Sequence, residues 1–254
     1  MLAEERRAIL LQTLKGSGYL EVVDMAAALA VCPATIRRDL EHMHQQGHVV
    51  RTRGGAVLTV QSTSLELPYE VKRQRRLEEK RRIAAAAAEV VKDGETVILD
   101  AGSTTYELAV LLQRRRNLTV VTNDLHIALK LASNPGINLV CTGGTARTNV
   151  FTLLGQPAEA FLATLRVNWT FLGADALHPD GSVANVNLEE VAVKQAMLRA
   201  GDHAMVLADS SKFAVRGFAR VCSLHEVDQL ITDTGIPDGA LKALRRLNVA
   251  VVVV

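Results

Sequence analysis

Two neighbouring arginines in Thr35-Ile-Arg-Arg-Asp-Leu40 are the residues of this chain best suited to act on a partner molecule. Ile36, Leu40 and Met43 recur at i, i+4 and i+7, the buried stripe of a helix. Pro33 suits its first position, where a missing N–H costs nothing. A step of about 100° per residue puts Ala34, Arg38, His42 and Gln45 on the opposite face, with Thr35 and Arg37 on the flanks. Arginine pairs bidentately with guanine and glutamine with adenine, so this face suits the major groove of double-stranded DNA. The competing reading is a solvated arginine pair on an ordinary surface helix.

The flanking residues supply what such a helix needs to be held in place. Glu4 to Lys15 reads as a first helix with Ile9, Leu10 and Leu14 inward. Asp24 is expected to cap a second helix, Met25–Leu29, and Ala30-Val-Cys32 turns into the third. Gly47 can end the third in the left-handed conformation. His48 to Val57 then reads as a hairpin whose turn carries Arg53, Gly54 and Gly55, offering Arg51 and Arg53 to phosphates or a minor groove. Residues 1–58 are thus expected to form a winged helix-turn-helix.

From 59 to 82 the expectation is a linker. Gln61-Ser-Thr-Ser64 is a polar hinge, and Pro68 prevents a continuous helix across it. Glu70 to Arg82 is densely charged and reads as a solvated face, with help in holding DNA as the other reading. Residues 83–254 alternate helical patterns with short apolar runs at Thr96–Leu99, Leu118–Val121, Asn138–Cys141, Trp169–Leu172, Ala204–Ala208, Gln229–Ile231 and Val249–Val254. Helices are expected at Tyr106–Gln113, Leu125–Ala132, Pro157–Leu165, Leu188–Ala200 and Gly239–Leu247. Continuous apolar strands separated by helices predict a larger α/β domain with a mainly parallel sheet.

Ligands bind such sheets at the carboxyl ends of the strands. There this chain places Asp100-Ala-Gly-Ser-Thr-Thr105, Thr122-Asn123, Gly143-Gly-Thr145 with Arg147, Gly173-Ala-Asp175, and Asp209-Ser-Ser-Lys212. Gly102, Ser103, Thr104 and Thr105 at a helix start would cradle a phosphate, together with a cation. Asp175, Asp209 and Asn123 suit sugar hydroxyls. Taken singly, a Ser/Thr run is often a cap and an Asp after a strand a turn former; their recurrence points to a shared pocket. Glu190 and Lys194, one helical turn apart, read otherwise as a surface pair.

Arg6, Leu10, Leu14, Thr35–Leu40 and the Arg53-Gly-Gly-Ala56 wing resemble the DeoR family of bacterial transcriptional repressors. Cys32 departs from the family's usual Ser, Thr or Ala, which makes a weaker cap. The second half resembles the family's sensor domain, similar in fold to ribose-5-phosphate isomerase, through the strand-end residues above, Gly143, Gly144, Glu190, Lys194, Asp209 and Lys212. The resemblance implies a repressor of a carbohydrate operon, assembled as a dimer or larger homo-oligomer and released from its operator by a phosphorylated sugar. It also raises a sugar-phosphate isomerase as the alternative. Against that, Leu172-Gly-Ala-Asp-Ala176 lacks two of the acidic groups of the isomerases' Asp-Gly-Ala-Asp-Glu, and Asp180–Asn185 replaces their Lys-Gly-Gly-Gly loop, so the base for proton abstraction is missing.

The composition fits this outline. The chain has 254 residues, 48% of them hydrophobic, enough for two domains with filled cores. Its net charge of +2 does not by itself mark nucleic-acid binding. Residues 1–82 carry 14 basic side chains against 10 acidic ones, and the remainder 15 against 17. Cys32, Cys141 and Cys222 follow no metal-like spacing and read as reduced thiols, the latter two buried. His178, His203 and His225 are scattered, so neither a metal nor another cofactor is expected. No apolar run reaches the ~18 residues of a membrane span and no signal-peptide pattern opens the chain, which reads as cytoplasmic.

Overall fold

The computed structural model describes residues 2–17, 19–46, 48–52, 54–58, 69–147 and 150–254. The chain divides into two compact units, Met1–Val71 and Lys72–Val254. Gly47, Arg53, the Gln61–Ser64 hinge and Pro68 lie outside the described residues.

The first unit runs α1 (Ala3–Ser17), β1 (Tyr19–Glu21), α2 (Val22–Ala28), α3 (Pro33–Gln45), β2 (Val49–Thr52) and β3 (Gly55–Leu58). Leu10, Leu14, Leu20, Ile36, Leu40, Met43 and Val49 form its core. Ile9, expected inward, is 37% exposed. The second helix starts earlier than expected. Glu21 is its N-cap residue, so Asp24 sits in the first turn instead of capping it. Ala30, at φ 52°, makes the left-handed turn into α3. Asp39 is buried and accepts from Arg6 Nε and, at 3.1 Å, from Arg7 Nε, tying α1 to α3 with charge-assisted bonds.

The strands form a sheet in the order β1-β3-β2. The two wing glycines do different work. Gly54, at φ 104°, takes a backbone conformation that side chains resist. Gly55 lies inside β3, where a Cβ atom would stand 1.9 Å from the Leu20 carbonyl oxygen. Only a residue without a side chain lets β1 join the wing.

Helix α4 (Tyr69–Gln74) spans the division, and in the second unit α5 (Leu77–Glu89) precedes β4 (Thr96–Leu99), α6 (Ser103–Leu112), β5 (Leu118–Thr122), α7 (Leu125–Leu131) and β6 (Ile137–Cys141). A hairpin, β7 (Thr145–Arg147) with β8 (Thr152–Leu154), leads into α8 (Gln156–Leu162) and β9 (Val167–Gly173). After β10 (Ala176–Leu177) and β11 (Ser182–Asn185) come α9 (Glu189–Ala200), β12 (Gly201–Leu207) and a 3-10 turn, Ser210–Ala214. The chain closes with β13 (Ala219–Ser223), β14 (Gln229–Thr232), α10 (Asp238–Arg246) and β15 (Val251–Val253).

Seven strands form one parallel sheet in the order β15-β14-β12-β9-β4-β5-β6. Two apolar cores flank it. One gathers Ile83, Leu108, Leu118 and Phe171, and the other Leu162, Leu172, Val193 and Met197. Burial on both sides explains why the strands read as unbroken apolar runs. Order reverses between β4 and β9: β5 and β6 extend one way from β4, and β12, β14 and β15 the other way from β9. The small antiparallel sheet β10-β11-β13 and the β7–β8 hairpin were not expected, being built from strands as short as two residues.

Two further expectations fail. Cys141 is exposed, because β6 is an edge strand, whereas Cys222 is buried. The charged stretch before residue 83 is not simply a solvated face. Arg75, Arg81 and Arg82 are exposed, but Lys80 is only 3% exposed and donates to the carbonyls of Lys72 and, at 2.6 Å, Arg75. Arg73 lies 4.4 Å over the Tyr106 ring, a cation–π contact. Lys72 reaches Asp175 at 3.2 Å. Sequence shows a run of charge, not the partners that fold back onto it.

Candidate functional site

Helix α3 presents the face that its sequence predicts. Ala34, Arg37, Arg38 and Gln45 are exposed, Thr35 and His42 half-buried, and Ile36, Leu40 and Met43 buried beneath them. No side chain caps this helix at Cys32, whose sulfur instead meets the Thr35 hydroxyl at 3.1 Å. Arg51 on β2 pairs with Glu41 of α3, and Gln45 Nε2 reaches the same carboxylate at 3.5 Å. Glu41, which was not among the expected residues, therefore links wing and helix. Arg53 lies outside the described residues, next to Gly54.

The second cluster stands at the carboxyl ends of β4, β5, β9 and β12. Asp100 is buried and accepts from the Gly173 amide at 2.8 Å and from Lys194 Nζ, which also donates to the Gly173 carbonyl at 3.1 Å. These bonds join the loops on either side of the reversal. Glu190 and Lys194 are not a surface pair. Both are buried; Glu190 takes Arg147 at 3.0 Å and Asn185 Nδ2 at 2.5 Å. Burial works against the Lys194 ammonium, but Asp100 and Glu190 outweigh it and hold the lysine cationic.

The loop ahead of α6 is shaped from the next strand. Asn123 Oδ1 accepts the Ala101 amide at 2.9 Å and Asp124 Oδ2 the Gly102 amide at 3.1 Å. Asp124 also caps α7 through the amides of His126 and Ile127, and burial pushes its carboxyl up to about 6. An Asp directly before an apolar helical pattern is the signal by which the sequence could have revealed it. The hydroxyls of Thr105 and Thr122 donate to the carbonyls of Gly102 and Leu99. No side chain caps α6, whose first residues are Ser103, Thr104 and Thr105. The leading amides of a helix have no partner within it and carry partial positive charge, so this end suits an anion.

Asp175 lies beyond β9 among lysines. Burial would raise its pKa, but Lys72, Lys212 and Lys194 outweigh that and hold it well below the carboxylate range. Lys212 is half-buried, lowered by burial against the pull of Asp209 and Asp175, and forms no hydrogen bond or ion pair among the described residues. Asp209 caps the 3-10 turn that carries it. Gly143 and Gly144 have φ of 71° and 105°, and a Cβ on Gly144 would come within 2.4 Å of the Leu154 carbonyl oxygen. Asn185 and Lys72 join the set of residues that sequence reasoning had missed.

Comparison with known proteins agrees with both halves. Residues 6–62 match the DeoR-like helix-turn-helix domain and residues 75–234 the DeoR C terminal sensor domain. The chain is 30% identical to the glycerol-3-phosphate regulon repressor of Escherichia coli K12, over 96% of each chain. It is 32% identical to the HTH-type transcriptional regulator GlpR of Haloferax volcanii, over 99% of this chain and 98% of that one. The chain belongs to the DeoR family. It is a helix-turn-helix transcriptional regulator, not an enzyme. Ribose-5-phosphate isomerase from Plasmodium falciparum aligns with 55% of this DeoR-family chain and 54% of its own, at 16% identity and a TM-score of 0.38. Among the described residues no helix is long and apolar enough to cross a membrane.

Proposed function

We propose that this regulator represses a carbohydrate-metabolism operon in the cytoplasm and leaves its operator when a phosphorylated sugar or related intermediate binds the second unit. Arg38, His42 and Gln45, with Ala34 and Thr35, read bases; Arg37, Arg51, Arg53 and Gly54 engage the backbone. A homo-oligomer, dimer or tetramer, presents two such helices to successive major grooves. The relative named for the glycerol-3-phosphate regulon supports an effector of this class.

The observation that carries the reading is the reversal of strand order between β4 and β9, where open α/β sheets bind ligands. That crevice holds the uncapped start of α6, and Lys212 stands in the 3-10 turn after β12, forming no hydrogen bond or ion pair among the described residues. The helix start, with Gly102, Ser103, Thr104 and Thr105, and Lys212 take the phosphate. Asp100, Thr122, Asn123, Gly143, Gly144, Arg147, Asp175, Glu190, Lys194 and Asp209 shape the pocket and bind hydroxyls. Ligand binds one arrangement of the chain better than the DNA-competent one, and the population shifts.

The test is a DNA-binding titration at one stated salt concentration against phosphorylated sugars and polyols, glycerol 3-phosphate included, with their unphosphorylated parents and inorganic phosphate as controls. Release by a phosphorylated compound and not by its parent is expected. Equal release by the parent, or none by any compound, overturns the proposal.

A further inference from the structure

Arg75 and Arg76 separate α4 from α5, and the Arg76 backbone is left-handed, with φ 51° and ψ 43°. A side chain in that region costs about 1–2 kcal/mol, so something must hold it there. Three groups do. Arg76 Nη1 donates to Ser210 Oγ at 2.9 Å and lies 3.6 Å from Asp233, while Nε is 3.8 Å from Asp209. Both carboxylates are 2% exposed, and a buried carboxylate needs a counter-charge. Asp233 in turn accepts from the Ser210 amide at 2.6 Å and its hydroxyl at 2.9 Å. Gly235 leaves the space: a Cβ there would stand 2.6 Å from Ser210 Oγ and 2.8 Å from Asp233 Oδ1.

One guanidinium therefore fastens two things together. On one side is the 3-10 turn Ser210–Ala214, which presents Lys212 and is capped by Asp209. On the other is the joint between α5 and α4, and the division between the two compact units falls inside α4. Lys80 strengthens the joint from the α5 side by bonding the carbonyls of Lys72 in α4 and of Arg75 just after it.

We propose that Arg76 is a positioning residue that locks the Asp209–Ala214 turn to the α4–α5 joint, so that displacement of the turn by a bound anion is transmitted to that joint. The coupling half of this proposal rests on the sensor reading above; the lock itself does not. Ligand and DNA then compete through two states of one joint, each biasing the same equilibrium.

The test uses the full chain and the variant Arg76→Gly, which keeps the left-handed backbone without strain and removes the guanidinium. Amide hydrogen exchange in ligand-free protein comes first. At least tenfold faster exchange at the Ser210 and Lys212 amides and at the Lys80 amide, which bonds the Arg76 carbonyl at 3.1 Å, is expected. Unchanged exchange overturns the lock. The second readout uses the most effective phosphorylated compound of the panel, measured both for direct binding to DNA-free protein and for half-release from DNA. The expected outcome is a half-release concentration raised at least tenfold with direct binding changed less than threefold. Equal changes in the two overturn the coupling, making Arg76 only a pocket residue. A wild-type protein that binds no compound of the panel fails the sensor reading and the coupling with it, while the exchange comparison still decides the lock.

Discussion

Removing the carboxylate of Asp39 would leave Arg6 and Arg7 without the acceptor that both share inside the first unit. Breaking a buried pair by deleting one partner is costly, and Asp39→Ala is expected to lower stability by about 2–4 kcal/mol in urea unfolding. Its neighbours act outward. Arg38→Ala should cost about 1–3 kcal/mol of operator affinity and relax sequence preference, whereas Arg37→Ala should weaken all DNA and reduce the salt slope by about one. Competition titrations against operator and random DNA at several salt concentrations separate the two outcomes. In the second unit Asp175 titrates below its unfolded value, so the native state binds fewer protons. Its contribution is present above the unfolded pKa of ~3.9 and lost as pH falls through and below it. The stability gap between wild type and Asp175→Asn should therefore be full at pH near 6 and narrow below about 4, read by urea unfolding at each pH.

At the scale of elements, Gly55 decides whether the wing is a three-stranded sheet. A methyl group 1.9 Å from the Leu20 carbonyl forces β1 and β3 apart, so Gly55→Ala should cost about 2 kcal/mol or more and loosen Arg51 along with the wing. The contrast between α6 and α7 is equally plain: Asp124 caps one, and no side chain caps the other. Most elements were legible because their burial leaves a mark. The parallel strands read as unbroken apolar runs, and Ile36, Leu40 and Met43 keep helical spacing. Strands of two or three residues, such as β10 and β7, are too short to show a period. The start of α2 was misplaced because Asp24 is a good capping residue that the fold did not use. The fate of Lys72 and Arg73 was hidden because Asp175 and Tyr106 come from elsewhere in the chain, and that of Lys80 because its acceptors are backbone carbonyls that no residue type announces.

For the whole molecule, the topology matters more than any one side chain. Strand order reverses at a single point, and the loops that the sequence marked with Asp100, Gly173 and Asp175 come from the two strands that meet there. The composition of the candidate pocket could be read from strand ends; its wiring, with Lys194 bonded to Asp100 and Arg147 to Glu190, could not, because the helical spacing of four points only from Lys194 to Glu190. The two units also carry separate cores, which predicts two steps in calorimetric unfolding. Gly55→Ala should shift one step and Phe171→Ala, costing about 3–5 kcal/mol at a fully buried site, the other. The three cysteines have a practical consequence at this scale. Cys32 is exposed in the first unit, with its thiol acidified by the Thr35 hydroxyl; Cys141 is exposed on the edge strand of the second; burial pushes the Cys222 thiol up to about 12. The unaltered chain thus offers one reactive handle per unit and a third sulfur that stays silent, a ready pair of dye positions for following by energy transfer whether the units move when an effector arrives.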